Sequence, residues 1–492
     1  MPNMTTKNRW QALDSDLKRI SRVENANAHV ARPMLAPGIA LAFIALAGLS
    51  SALFFGQADG GLIVVAAAVF GAYMAINIGA NDVANNMGPA VGANALTMGG
   101  AIVIAAIAES AGALLAGGDV VSTISKGIID PASVQDNNVF IWAMMAALIS
   151  SAMWVNLATW VGAPVSTTHS VVGGVMGAGI AAAGLSAVSW GTMSAIAASW
   201  VISPVLGGLI AAGFLALIKN KIQYQDDKIA AARRWVPILV AVMMAAFATY
   251  LSVKGLKRIV KIELETALLI GFASGLLVWS VTVPWVRRKS EGMENRTKSV
   301  KALFGLPLVI SATFLSFAHG ANDVANAVGP LAAIVHAAEF GDFAAKVSIP
   351  SWVMVIGAFG ISFGLFLFGP KLIRMVGSQI TKLNPIRAFC VALSAAITVI
   401  VASWLGLPVS STHIAVGAVF GVGFYREWHS DRRWKKSNRQ RPVEQRLARE
   451  EHQRRKLVRR SHFMTIVAAW IVTVPAAAVM SATIFIFLTA FV

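Results

Sequence analysis

Three carboxylates stand inside otherwise apolar runs: Asp82, Asp323 and Glu109. A charge at the centre of a membrane helix costs about 2.5–3.5 kcal/mol even on a lenient insertion scale, so each needs a reason to be there. Two of them share their neighbours. Gly79-Ala80-Asn81-Asp82-Val83-Ala84-Asn85 recurs without change as Gly320-Ala321-Asn322-Asp323-Val324-Ala325-Asn326, and Gly88-Pro89 and Gly329-Pro330 follow two residues later. Gly and Asn are poor helix formers and Pro lacks a backbone donor. The spacing therefore predicts a helix that breaks at membrane depth, which is tolerated where the backbone lines a polar cavity. Asp82, Asn85, Asp323 and Asn326, with Asn81 and Asn322 beside them, offer hard oxygen ligands next to unwound carbonyls, a set suited to a small cation such as sodium. A carboxylate can equally carry a proton. The plain alternative is an Asp that caps a broken helix.

A second motif is also duplicated. Gly162-Ala163-Pro164-Val165-Ser166-Thr167-Thr168-His169 matches Gly406-Leu407-Pro408-Val409-Ser410-Ser411-Thr412-His413, 83 and 86 residues after the first motif in the two halves. Pro164 and Pro408 fit the start of a helix, where a missing N–H costs nothing. Ser166, Thr167, Thr168, Ser410, Ser411 and Thr412 then supply hydroxyls beside the free N–H groups of a first turn. Two such helix starts facing each other make a cradle for a tetrahedral oxyanion. Hydroxyls that back-bond their own helices are the competing account. Glu109 has no twin, its counterpart being Ile361, and is placed at the ion path. His169 and His413 close the Ser/Thr turns, with structural hydrogen bonding at least as good an account as substrate contact.

The elements that must hold these residues are membrane helices. Of 492 residues, 57% are hydrophobic and 13% charged, a polytopic membrane composition. Hydropathy places a span at 39–55, then 62–93, 98–117, 138–160, a Gly-rich segment at 164–182, and 190–217. Spans at 235–253 and 266–286 connect to a second series at 303–338, 350–370, 386–405, a Gly-rich segment at 408–424, and 464–491. If each Gly-rich segment crosses once, there are thirteen crossings, and the fold is an all-α bundle of about 12–13 crossings. The net charge of +18 then marks inner loops at 218–234, 287–301, 371–387 and 425–463, with the N-terminus inside. The loop at 254–265, with Lys254, Lys257, Arg258 and Lys261, is the one violation. From Arg426 to Arg460 fourteen bases face five acids, read as a solvated loop beside an anionic leaflet. No aromatic-basic interleaving supports nucleic acid there. The lone Cys390 packs in an apolar run and excludes a disulfide framework.

Seven crossings separate the spans of Asp82 and Asp323, and an odd number inverts one half relative to the other. Inverted repeats with broken helices and a midplane site are the pattern of a secondary transporter. The domains are an arm at 1–36, an extra helix at 37–60, repeat 1 at 61–217, connecting helices at 218–302, and repeat 2 at 303–492.

The paired motifs resemble the inorganic phosphate transporter (PiT) family over about 62–217 and 303–491. The resemblance implies symport of inorganic phosphate with sodium or a proton and no cofactor. It places Asp82, Asn85, Asp323 and Asn326 on the family's Asn-Asp motif and the six Ser/Thr residues on its substrate hairpins. Glu109, with Ile124-Ser125-Lys126-Gly127-Ile128-Ile129-Asp130 after it, looks more like sodium-coupled members. Ala392 stands where animal-type members carry a second intramembrane Glu, which opens the question of the coupling ion. The expected location is a bacterial inner membrane, and a homodimer is left open. The rivals are a sulfate carrier on the same scaffold, a passive anion channel, and an intramembrane Ser/His hydrolase. The last conflicts with Ser166 and His169 being three residues apart and with a duplicated nucleophile.

Overall fold

The structure, a computed structural model, describes residues 34–57, 60–130, 133–134, 136–161, 165–255, 260–341, 349–379, 383–439 and 460–490. Residues 1–33 of the arm at 1–36, residues 162–164 with Pro164, residues 256–259 with Lys257 and Arg258, and residues 440–459 of the basic tract lie outside them. The described residues are helical, with one isolated bridge, Ile129 to Val188. The described residues start with α1 (Met34–Phe55). Repeat 1 holds α2 (Gly61–Asn81), α3 (Val83–Gly92), α4 (Met98–Ala116), α5 (Gly118–Lys126), α6 (Asn137–Val161), α7 (Thr167–Ala183) and α8 (Trp190–Ile218). The connecting helices are α9 (Lys228–Tyr250) and α10 (Leu264–Lys289), followed by a short α11 (Thr297–Leu303). Repeat 2 holds α12 (Gly305–Asp323), α13 (Ala325–Phe340), α14 (Ser351–Gln379), α15 (Pro385–Trp404), α16 (Ser411–Arg439) and α17 (Arg460–Thr489).

Among the described residues, ten helices are long and apolar enough to cross a membrane, or eleven if the pair Thr297–Leu303 and Gly305–Phe340, bent by 42°, counts as one span. The Gly-rich helices α7 and α16 are not among them, which accounts for the difference from the sequence count. Both begin at buried Ser/Thr turns in the protein centre, so α6 with α7, and α15 with α16, are hairpins whose tips meet there. Treating a hairpin as two crossings or none leaves the odd separation of the two Asp helices unchanged. Between the spans at 98–117 and 138–160 lies the short helix α5. The first part of the basic tract is also helical, because α16 runs unbroken to Arg439.

The two halves interlock by one rule. α2 packs on α14 of the other half, and α12 packs on α4; α7 packs on α17, and α16 on α8; α6 packs on α13, and α15 on α3. Equivalent residues touch across the centre, as they must on a twofold axis: Ser110 Oγ lies 2.7 Å from Ser362 Oγ, and the His169 and His413 rings are 4.5 Å apart. The motif glycines make the crossings close. A Cβ on Gly79 would lie 1.9 Å from Ile361 O, and one on Gly320 would lie 2.1 Å from Glu109 O. Only Gly lets backbones approach so nearly, and small residues are what hold helices together where lipid offers no hydrophobic drive.

The predicted break in the motif helices is slighter than expected. Asp82 (φ −86°, ψ −29°) and Val324 (φ −56°, ψ −30°) keep helical dihedrals, so each interruption is one residue long. Asn85 N–H reaches back to Asp82 O (3.0 Å) and Ala327 N–H to Val324 O (3.2 Å), a local three-residue tightening. The alanines around each Asp favour helix enough to outweigh Gly and Asn. Pro89 and Pro330 still cannot donate to the carbonyls of Asn85 and Asn326 four residues earlier. The misplaced positive loop also has a physical basis at one end: Lys254 forms an ion pair with Asp119 at the start of α5.

Candidate functional site

The two Asp corners face the two hairpin tips, and every residue in the cluster is buried. Asp82 and Asp323 are each 1% exposed. Thr167 donates to Asp82 Oδ2 (2.6 Å), and Thr412 of the other repeat donates to Asp82 Oδ1 (3.1 Å). Asp323 receives one hydroxyl, Ser411 Oγ to Oδ2 at 3.1 Å. Each repeat's second Asn reaches across to the other repeat's hairpin. Asn85 Nδ2 donates to Thr412 Oγ1 (2.9 Å), while Asn326 Nδ2 donates to Thr168 Oγ1 (3.1 Å) and Thr167 Oγ1 (3.2 Å). Five of the residues singled out by type and spacing therefore join Asp82 in one hydrogen-bonded set, and a sixth, Ser411, binds Asp323.

Others hold the frame. Ser166 and Ser410 are helix N-caps that accept from the backbone N–H of His169 (3.1 Å) and His413 (3.3 Å). Capping is their first task here, while the N–H groups of Thr167, Thr168, Ser411 and Thr412 belong to the two first turns. Those turns meet, since Thr168 Oγ1 donates to Val409 O at 3.0 Å. Asn81 donates to Thr159 (2.9 Å) and Asn322 to Ser403 Oγ (2.9 Å) and Leu407 O (3.2 Å). These two Asn position the hairpins. His169 contacts Ser166 Oγ through Nδ1 (2.7 Å) and stacks on Trp200, whose indole N–H donates to Pro408 O.

Glu109 is fully buried and takes part in the network through a residue that the motifs do not reveal. His319 Nδ1 lies 3.1 Å from Glu109 Oε1, and His319 Nε2 lies 2.9 Å from Asp323 Oδ2 without hydrogen-bond alignment. Asn86 Nδ2 also donates to Glu109 Oε1 (3.0 Å). His319 is four residues before Asp323 and shares its helix face. Its counterpart, immediately before the first heptapeptide, is Ile78. The signal was a second break in the repeat: Glu109 and His319 each lack a twin, and they pair with each other.

Among the described residues, several acceptor oxygens in this buried cluster have no donor: Asn81 Oδ1, Asn86 Oδ1, Glu109 Oε2, Asp323 Oδ1 and Asn326 Oδ1. Buried acceptors without donors are costly, and a cation is the partner that answers an excess of oxygen. One ligand atom each from Asp82, His319 and Asp323 lies within 4.8 Å of the others. Two helix starts with free N–H groups beside that set favour an anion next to the cation.

Residues 78–481 match the profile of the phosphate transporter family. The chain belongs to that family. A protein of Helicobacter pylori strain J99 assigned as a phosphate permease is 54% identical over 418 residues, 84% of this chain and 78% of that protein. The chloroplastic inorganic phosphate transporter 2-1 of Arabidopsis thaliana is 36% identical over 446 residues, 85% of this chain and 71% of that one. Among solved structures, one titled the sodium-dependent phosphate transporter aligns with a TM-score of 0.79 and 36% identity, covering 87% of this chain and all of that one. Membership in a family of multi-pass phosphate permeases sets aside the hydrolase reading of Ser166 and His169. Both serve the hairpin turn instead.

Proposed function

We propose that the chain is a secondary carrier that moves inorganic phosphate together with sodium, with Asp82, Asp323 and the acceptor oxygens around them holding the cation. The observation that carries this is the cross-repeat network, in which Thr412 and Asn85 tie the Asp82 corner to the second hairpin while Asn326 ties the Asp323 corner to the first. A site whose walls come from both repeats changes shape when the repeats move against each other, which is what alternating access requires. Phosphate would sit against the first-turn N–H groups and the hydroxyls of Thr167, Thr168, Ser411 and Thr412. Sodium at the carboxylates offsets the anion's charge, which the membrane potential otherwise opposes by ~2.3 kcal/mol per charge per 100 mV. We place it in a bacterial inner membrane with the N-terminus cytoplasmic, on the distribution of Lys and Arg.

The test is uptake into proteoliposomes with sodium and proton gradients imposed separately and with phosphate or sulfate as substrate. Phosphate accumulating above its outside concentration only with inward sodium is the expected result. Accumulation driven by the proton gradient alone would replace the ion. Preference for sulfate would replace the substrate, and equilibration without accumulation would make the protein a channel.

A further inference from the structure

Away from the network, an apolar groove of about 1080 Å³ is walled by α8, α16 and α17. Its inner end is the His169–His413 pair, and its outer end is Tyr425 and Trp428. From His413 to Trp428 α16 advances fifteen residues, or about 22 Å at 1.5 Å per residue. That is the depth of one leaflet, from the midplane to the headgroup level. Trp200, Val205, Phe420 and Phe424 line the stretch between. The outer end carries an excess of bases. Lys219 Nζ stands 5.0 Å over the Tyr425 ring, and the Arg432 guanidinium stands 4.0 Å over the Trp428 ring. The helix from Arg426 to Arg439 carries six bases against Glu427 and Asp431.

Repeat symmetry makes this end distinctive. The positions equivalent to Phe420, Phe424, Tyr425 and Trp428 in the first hairpin are Met176, Ile180, Ala181 and Gly184. The same backbone packing therefore carries aromatic rings and bases at one end only. Aromatic residues favour the interface and basic pockets between helices hold anionic headgroups. We infer that one anionic phospholipid of the cytoplasmic leaflet seats here, with an acyl chain in the groove and its phosphate between Lys219 and Arg432. The chain end would reach the His169–His413 pair and cover the flank of the hairpin tips.

The full chain, purified and exchanged into zwitterionic detergent, should retain one phosphatidylglycerol by native mass spectrometry, with phosphatidylcholine lost under the same exchange. The double variant K219Q/R432Q should weaken that retention about tenfold. Ala212→Trp, which fills the groove from α8 without touching a base, should displace the lipid as well. Brominated phosphatidylglycerol should quench wild-type Trp fluorescence, with a smaller loss in Trp428→Phe. Equal retention of the two lipids by the wild-type chain overturns the inference, whatever the variants do. So does a dimer whose shared interface excludes lipid from the groove, since the occupant would then be a second copy.

Discussion

The Asp82 and Asp323 corners come from one heptapeptide but are not alike. Asp82 accepts two hydroxyls, one from each hairpin; Asp323 accepts one and has His319 beside it, with Oδ1 undonated. Behind Asp323 the pair is His319 and Glu109; at the equivalent place behind Asp82 it is Ile78 and Ile361, both fully buried. The backbone contact underneath is the same, since Gly79 meets Ile361 O as Gly320 meets Glu109 O. Packing has stayed symmetric while electrostatics have diverged, and they diverged at two positions together. A buried His or Glu facing isoleucine would stand unpaired, at a cost far above that of the pair. The symmetric part allows the halves to exchange shapes. On the proposed sodium coupling, the unsymmetric part makes the Asp323 corner the stronger place for the cation.

Charge removal at the two corners should give the largest effect and separate them. Asp82→Asn weakens two charge-assisted bonds, one from its own hairpin and one, from Thr412, that joins the repeats, so phosphate uptake should fall about 100-fold at saturating sodium, from two interactions of ~1.5 kcal/mol each. Asp323→Asn should instead raise the sodium concentration needed for half-maximal uptake while keeping more of the maximal rate. Uptake measured against sodium concentration distinguishes these outcomes. Identical shifts in both variants would mean that the corners act as equals.

Much of this site was legible because duplication speaks where a single residue does not. Asp82 against Asp323, and Thr167 against Ser411, are pairs that the chain repeats in order. His319 was hidden for the same reason, because the identical heptapeptides begin one residue after it and an isolated His among Phe317 and Ala318 resembles a packing residue. The mildness of the helix break was hidden too. Gly, Asn and Pro announce an interruption, but whether the flanking alanines absorb it depends on packing against α4 and α14. Hydropathy likewise finds a long apolar segment without saying whether it crosses or turns back, and only the meeting of Thr168 with Val409 shows the hairpin tips.

The second test concerns the unsymmetric pair itself. Glu109→Ile or His319→Ile alone leaves a buried polar group without its partner and should destabilise the protein by about 3–5 kcal/mol, read as a fall in Tm in detergent. The double variant E109I/H319I copies the Ile78–Ile361 arrangement and should recover most of that stability. Its sodium dependence should not recover. If the double variant is no more stable than the worse single one, the two residues are not a unit.

Packing symmetry has its own test, smaller in size. Gly79→Ala and Gly320→Ala each push a methyl group into a backbone oxygen on the facing helix. Overpacking of this kind costs about 1–3 kcal/mol, and the two losses of Tm should match. A marked difference would show that the His319–Glu109 side is packed by a different rule.

The smallest expected difference lies in how each hairpin is pinned. Asn322 makes three hydrogen bonds to its hairpin: its amide donates to Ser403 Oγ and Leu407 O, and its oxygen accepts from Val409 N–H at 3.2 Å. Among the described residues, which omit Ala163, the counterpart of Leu407, its twin Asn81 makes one, to Thr159 Oγ1, and its oxygen has no donor, not even the N–H of Val165. A net hydrogen bond contributes about 1 kcal/mol, less when long, and a buried N–H left without an acceptor costs about as much again. Asn322→Ala should therefore cost roughly 2 kcal/mol against roughly 1 kcal/mol for Asn81→Ala. The extra loss should be local. Hydrogen exchange at Val409 and the first turn of α16 should rise about tenfold more in Asn322→Ala than exchange at Val165 and the first turn of α7 rises in Asn81→Ala. The looser pinning of the first hairpin also predicts faster exchange there in the unmutated protein. Equal protection of the two tips in the wild type would show that the extra bonds at Asn322 do not stiffen the second hairpin, and that the halves differ in charge alone.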